Sequence, residues 1–258
     1  MGRALQTTAL LLLASANAAC RGLNVFTPEE DRELGRAAFQ EVLAEERTIG
    51  SGPGADQVRR VTARLVEAVR ASEPGIAAGF AWEVVLIDAP GTVNAFCLPG
   101  GYMAVYSGLL PVARDDAGLA VVMGHEIAHA TRRHGTQRLT QALIQDGIFE
   151  LARLALQGRG DPELLTQVGR LAVDQVFNLP YSRDQELQAD KVGLFTMADA
   201  GYDPRASIEF WQRMRAASDG SPPELLSTHP SEANRIAELE KRLPEALARF
   251  EAARGGSP

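Results

Sequence analysis

Histidine and cysteine are scarce in this chain: 4 and 2 among 258 residues. Four histidines cannot form a metal-storage tract, so any metal chemistry must come from a few placed ligands. Lysine and arginine form no cluster, and 26 of them against 33 acidic residues leave a net charge of −7. That balance argues against a nucleic-acid partner, and none is expected. Neither internal repeats nor low-complexity linkers are present, which removes solenoids and tethered modules from consideration. The apolar stretch Ala9–Ala14 is too short for a membrane-spanning helix, which takes roughly 20 residues. What is left is an ordinary globular composition, 45% hydrophobic and 23% charged, with room for one large domain or two small ones.

The N-terminal residues have the layout of a targeting segment: Arg3, then the apolar Ala9-Leu10-Leu11-Leu12-Leu13-Ala14, then small residues up to Cys20. Asn17-Ala18-Ala19-Cys20 resembles a bacterial lipoprotein cleavage site, with Asn17 where leucine is usual. Ordinary cleavage after Ala18 is the alternative. The expectation is a signal peptide over residues 1–19, lipidation at Cys20, export, and a lipid-anchored position in the cell envelope facing the periplasm. With Cys20 lipidated, Cys97 has no intramolecular partner and reads as a small buried strand residue.

From Thr27 on, the pattern is mostly helical. Thr27-Pro28-Glu29-Glu30 is a capping box opening a helix to about Arg47. Asp56 is expected to cap a second, with Val58, Val61, Leu65 and Val69 on one face. Three strands follow: Trp82–Ile87, Val93–Leu98 and Tyr102–Tyr106, the last two joined by the turn Pro99-Gly100-Gly101. Further helices are expected from about Asp115, over Leu139–Leu156, from Asp161-Pro162 to about Phe177, from the Ser182/Gln185 capping box to Ala200, from Asp203-Pro204, and after Ser231.

Within the helix from Asp115 lies His125-Glu126-Ile127-Ala128-His129. Residues four apart share a helix face one turn above each other, so the two imidazoles can bind one metal ion. Glu126 lies about 100° round the helix, beside that ion, placed to take a proton from water. This is the H-E-x-x-H pattern of zinc metalloproteases. His134 lies off this face, near the expected helix end that Gly135 marks, and reads as a partner of the helix dipole rather than a ligand. Catalytic zinc takes three protein ligands and keeps one position for water. Glu186, early in a capped helix with Asp190 one turn further on the same face, is the leading candidate for the third ligand and Asp184 the runner-up, but among 33 acidic residues spacing alone does not single it out. Asp190 would then receive the free ring N–H of a ligand histidine.

The pairing of His125-Glu126-x-x-His129 with Glu186-x-x-Ala189-Asp190 resembles the M48 family of zinc metallopeptidases, particularly its bacterial lipoprotein and Oma1-like group. Asn94-Ala95-Phe96-Cys97-Leu98-Pro99-Gly100-Gly101, Gly201-Tyr202-Asp203-Pro204, and His229-Pro230 with Arg235 fit as well. Asp115-Asp116 departs from the more usual glutamate, and the tetratricopeptide tail of some relatives is missing. The resemblance implies an α+β, mostly helical, zincin-like (gluzincin) domain over residues 20–258, with a small sheet beside the motif helix. It also implies one Zn2+ per chain on His125, His129 and Glu186, and a place for His229 near the metal. There His229 has two open roles, donor to the reacting oxyanion or fourth ligand blocking water. Asn94, Ala95 and Phe96 are the candidate substrate-binding edge, since an extended peptide can add to a sheet as a strand. Arg235 is expected to orient the His229 loop or meet developing charge in the substrate. The expected function is zinc-dependent endopeptidase, with Glu126 as base, acting on misfolded or misassembled envelope proteins. The alternative is a non-catalytic assembly factor or chaperone-like lipoprotein retaining a structural metal.

Overall fold

Thr27 accepts from the backbone N–H of Glu30 while the Glu30 carboxylate takes the N–H of Thr27. This reciprocal cap starts α1, Pro28–Glu45. The computed structural model describes residues 22–145, 180–216, 223–229 and 234–255. The second helix, α2, Pro53–Ser72, begins three residues before the expected cap. Pro53 presets the helical φ and Gly52 takes the left-handed approach at φ 105°, so Asp56 falls inside the first turn, paired with Arg59 at 2.5 Å. A short turn, α3 (Pro74–Ala77), leads to the strands.

The sheet has the order β1-β3-β2, with β1 Glu83–Ile87, β2 Ala95–Leu98 and β3 Tyr102–Tyr106. β1 runs parallel to β3, and β2 antiparallel to it. Gly100 and Gly101 at φ 77° and 86° turn the chain between β2 and β3, a conformation that costs glycine little. Alternation sends Met103, Val105, Ala95 and Cys97 to one face and Ala104, Tyr106, Phe96 and Leu98 to the other. The first face packs into the main core with α2, and the second against Phe39 and Ala38 of α1. Both faces are thus covered, while the outer edge of β2 adjoins the next long helix.

After α4 (Leu110–Ala113), Asp115 caps α5, Asp116–Thr131, by accepting from Gly118 N–H at 2.8 Å. Every residue of α5 from Gly118 on is buried, which explains its nearly all-round apolar sequence. The helix does not run on to Gly135. It stops at Thr131, Arg133 adopts φ 59°, and α6, His134–Gln145, starts afresh. Then follow α7 (Arg183–Asp199), α8 (Ala206–Ala216), α9 (Glu224–Thr228) and α10 (Arg235–Gly255). α7 packs along α5, and α10 along α7. The α5–α7 approach is closest at Gly124 and Gly193, where a Cβ on Gly193 would stand 2.7 Å from the His125 nitrogen. Among the described residues no helix is long and apolar enough to cross a membrane. The expected signal peptide, Cys20, the helix from Asp161 and the cap at Ser231 lie outside the described residues.

Candidate metal centre

Four side chains from three places converge between α5, α7 and the end of α9: His125, His129, Glu186 and His229, all buried. The i, i+4 spacing on α5 brings His125 Nε2 within 3.0 Å of His129 Nε2. Glu186, near the start of capped α7, sets Oε1 3.3 Å from His129 Nε2 and Oε2 3.5 Å from His125 Nε2. His229 Nδ1 lies 2.9 Å from Glu186 Oε1 and 3.2 Å from His125 Nε2. Zinc ligands at 2.0–2.2 Å in a tetrahedron would have donors about 3.3–3.6 Å apart. The observed spacings of 2.9–3.5 Å run from slightly short of those edges to within them, so donor shifts of a few tenths of an ångström would seat one ion among the four side chains. Three imidazoles and one carboxylate are also the donor chemistry zinc takes.

Around these donors stands a supporting layer. His125 Nδ1 is 3.0 Å from Asp190 Oδ1. Arg235, 3% exposed, places Nε 2.7 Å from Asp190 Oδ2 and its Nη2 on Glu186, with its guanidinium 4.0 Å over the Trp211 ring. Trp211 also meets the His125 ring edge at 5.8 Å. Tyr181 stacks 3.8 Å from His129 and 5.0 Å from His229, with Arg138 3.6 Å over its ring. His134 Nδ1 lies 2.9 Å from His129 Nδ1, and its Nε2 2.8 Å from Gln188 Oε1.

Burial and charge pull the centre's groups in opposite directions. Burial opposes charge on His125, but Glu186 and Asp190 outweigh it and raise its pKa to about 9. Burial, helped by the neighbouring imidazoles, takes His129 well below the ordinary value. Burial opposes charge on Glu186 too, but His229 and His125 hold it well below the carboxylate range. Glu126 is raised, chiefly by burial, and its Oε1 is 3.4 Å from His229 Nε2. The cluster thus combines an anionic Glu186, imidazoles competing for protons and, in Glu126, a carboxylate whose affinity for a proton is raised.

Of the other candidates, Asn94 turns its side chain onto its own strand, Oδ1 accepting from Ala95 N–H at 2.9 Å. Its carbonyl accepts from Tyr106 N–H, so the polar groups of Ala95 and Cys97 point to the side of β2 that no strand among the described residues pairs with. Phe96 packs toward α1, edge-on to Tyr106 at 6.3 Å. Cys97 is buried, and burial raises its thiol well above the ordinary value. Sequence reasoning missed Tyr181, Trp211, Gln188 and the position of His134. Nothing in the spacing of His129 and His134 reveals a contact, because the helix break at Arg133 creates it.

The sequence matches Peptidase family M48 over residues 54–243. It is 34% identical to the mitochondrial metalloendopeptidase OMA1 of Schizosaccharomyces pombe over 90% of this chain and 66% of that protein. It is 38% identical to human mitochondrial metalloendopeptidase OMA1 over 74% of this chain and 37% of that protein. The beta-barrel assembly-enhancing protease of Escherichia coli is 30% identical over 58% of this chain and 32% of that protein. The chain thus spans two thirds or less of the curated relatives it matches. The mitochondrial relatives overturn the expected periplasm-facing position in the cell envelope. A short apolar leader with one basic residue does not by itself distinguish compartments. The helical fold with its three-stranded sheet, the buried histidine–carboxylate cluster and the matched span together show that the chain belongs to peptidase family M48, whose members use zinc.

Proposed function

We propose that the chain is a zinc-dependent endopeptidase acting on misfolded or misassembled proteins, carried by one peptidase domain over residues 20–258. His125, His129 and Glu186 are its permanent metal ligands and Glu126 its general base. The observation that carries this reading is the convergence of four buried donor side chains within reach of one ion, beside a buried glutamate whose pKa burial raises. Zinc held there supplies Lewis acidity and lowers the pKa of water to about 7. Glu126 takes a proton from the attacking water and returns it to the leaving amine, a role that an upward-shifted carboxylate suits. Asp190 fixes the orientation of His125, and Arg235 holds Asp190 and Glu186 in place.

His229 serves as the blocking ligand in this conformation. Its Nδ1 stands among the metal donors and its Nε2 faces Glu126, so the ring occupies the ground that water and substrate need. The segment carrying it also leans on the sheet, with Leu225 N–H donating to Val93 C=O at 3.2 Å beside the outward edge of β2. An unfolded peptide adding to that edge beside Asn94–Phe96, where the Ala95 carbonyl and the Cys97 backbone face outward, gains main-chain hydrogen bonds without demanding a sequence. Its arrival next to Val93 meets the segment that must move for His229 to leave.

The test is hydrolysis of an unfolded protein by zinc-loaded wild type and Glu126→Gln, with metal content measured on both. The Gln variant should keep zinc and lose about 10²–10⁴-fold in rate. Hydrolysis by the Gln variant at the wild-type rate sinks the base assignment. Zinc retention with no hydrolysis, by wild type and His229→Ala alike, would leave only a structural metal.

A further inference from the structure

His134 belongs to neither the H-E-x-x-H motif nor the converging donors, yet it is 1% exposed and in contact with one of them. Its two ring nitrogens are both engaged: Nδ1 is 2.9 Å from His129 Nδ1, and Nε2 is 2.8 Å from Gln188 Oε1. A nitrogen–nitrogen contact of that length needs one proton between the two rings, and metal binding decides which ring carries it. His129 meets the metal through Nε2, so that nitrogen must be bare and the proton of the neutral ring must sit on Nδ1. His129 Nδ1–H is therefore the donor and His134 Nδ1 the acceptor. The His134 proton is then on Nε2, which donates to Gln188 Oε1. One assignment satisfies all the partners. The reverse direction would put a hydrogen on His129 Nε2, pointing at the metal.

We propose that His134 and Gln188 form a positioning relay that holds His129 in the tautomer and orientation needed for zinc. It is the counterpart, for the second motif histidine, of what Asp190 does for the first. This rests on the zinc reading above and extends it to two residues outside the ligand set. The contrast between the two supports is chemical. Asp190 offers His125 a carboxylate anchored by Arg235, whereas His134 offers His129 a neutral nitrogen. Two motif ligands of one residue type thus receive unequal electron donation. The backbone is built for the contact, since the left-handed turn at Arg133 folds α6 back toward α5 instead of letting the helix continue. Arg133 itself is held by Asp31 at 2.5 Å and by the carbonyl of Phe26.

The relay is tested with zinc affinity, by competition against a colorimetric chelator, on wild type and the variants His134→Leu, His134→Asn and Gln188→Leu. His134→Leu removes the acceptor and should weaken zinc binding 10–100-fold. His134→Asn keeps an acceptor oxygen near the Nδ1 position and should recover most of that loss. Gln188 is exposed, so Gln188→Leu leaves the fold intact while removing the far acceptor, and should give a smaller loss of the same sign. With four histidines in the chain, long-range proton–nitrogen NMR correlations on the zinc-loaded protein read the tautomers directly. His129 should carry its proton on Nδ1 and His134 on Nε2. Wild-type zinc affinity in His134→Leu, or a proton on His134 Nδ1, overturns the relay. Failure of wild type to bind zinc overturns the zinc reading instead.

Discussion

Arg235 is the residue whose removal should be felt most widely. Its guanidinium spans two buried carboxylates, Asp190 and Glu186, and lies flat on Trp211. Breaking a buried pair costs more than the pair contributes, because the remaining charge has neither water nor partner. In metal-free protein Arg235→Leu should therefore lower stability by about 3–5 kcal/mol, seen as a fall in the urea midpoint at neutral pH. Arg235→Lys should recover only part, since one ammonium cannot meet both carboxylates with a planar fork. The position of Arg235 was readable only through the family pattern, and its contacts were not readable at all. His125, Glu126 and His129 were legible because helix periodicity alone puts them together. Glu186 needed the resemblance, since nothing local separates it from the other acidic residues. Tyr181 and His134 were invisible, because what brings their rings to His129 is tertiary packing and a helix break.

Among the elements, the packing of α5 on α7 sets the distance between the two motif histidines and Glu186. Gly124 and Gly193 let the two backbones touch; a Cβ on Gly193 would stand 2.7 Å from His125 N and 2.8 Å from the Gly124 carbonyl carbon. Backbone cannot step aside as a side-chain tip can. Gly193→Ala should accordingly cost about 1–3 kcal/mol in the unfolding midpoint. It should also weaken zinc binding, because the helices must separate just where His125 sits. Gly50→Ala, with open space around the added carbon, is the control. A second element-level consequence concerns β3. Tyr106 is buried against α1 and its phenol is pushed up to about 12, mainly by burial. Between pH 10 and 12 the unfolded chain loses that proton while the folded chain keeps it, so stability falls as pH rises. Tyr106 should contribute about 2 kcal/mol to the alkaline loss across that window; Tyr106→Phe should remove that share and leave the share of Tyr181, whose phenol burial also pushes up to about 12. The starts of α1, α5 and α7 were legible, because Thr27, Asp115 and Ser182 each carry a local cap. The start of α2 was misplaced because proline at the first turn competed with the aspartate signal. The end of α5 was misplaced because a positive φ at arginine has no sequence mark.

At the scale of the whole molecule, the metal centre joins parts of the chain that are far apart in sequence: α5, α7 and the His229 end of the α9 segment. An ion bound there holds the three together only while the chain is folded, so it stabilises the fold by mass action. At a thousandfold excess over its dissociation constant that is about 4 kcal/mol. With roughly 2–4 °C per kcal/mol for a chain of this size, chelation should lower the melting temperature by about 10 °C. His229→Ala separates the contributions. If His229 is the fourth donor, its loss should reduce the zinc-dependent rise in melting temperature and at the same time increase hydrolysis of an unfolded protein. These two readouts move in opposite directions only when one side chain both tightens the metal and stands in the way of water. A donor to the reacting oxyanion would give lower activity with an unchanged melting shift. A bystander would move neither. The position of His229 Nδ1, 2.9 Å from Glu186 and 3.2 Å from His125, predicts the first pattern.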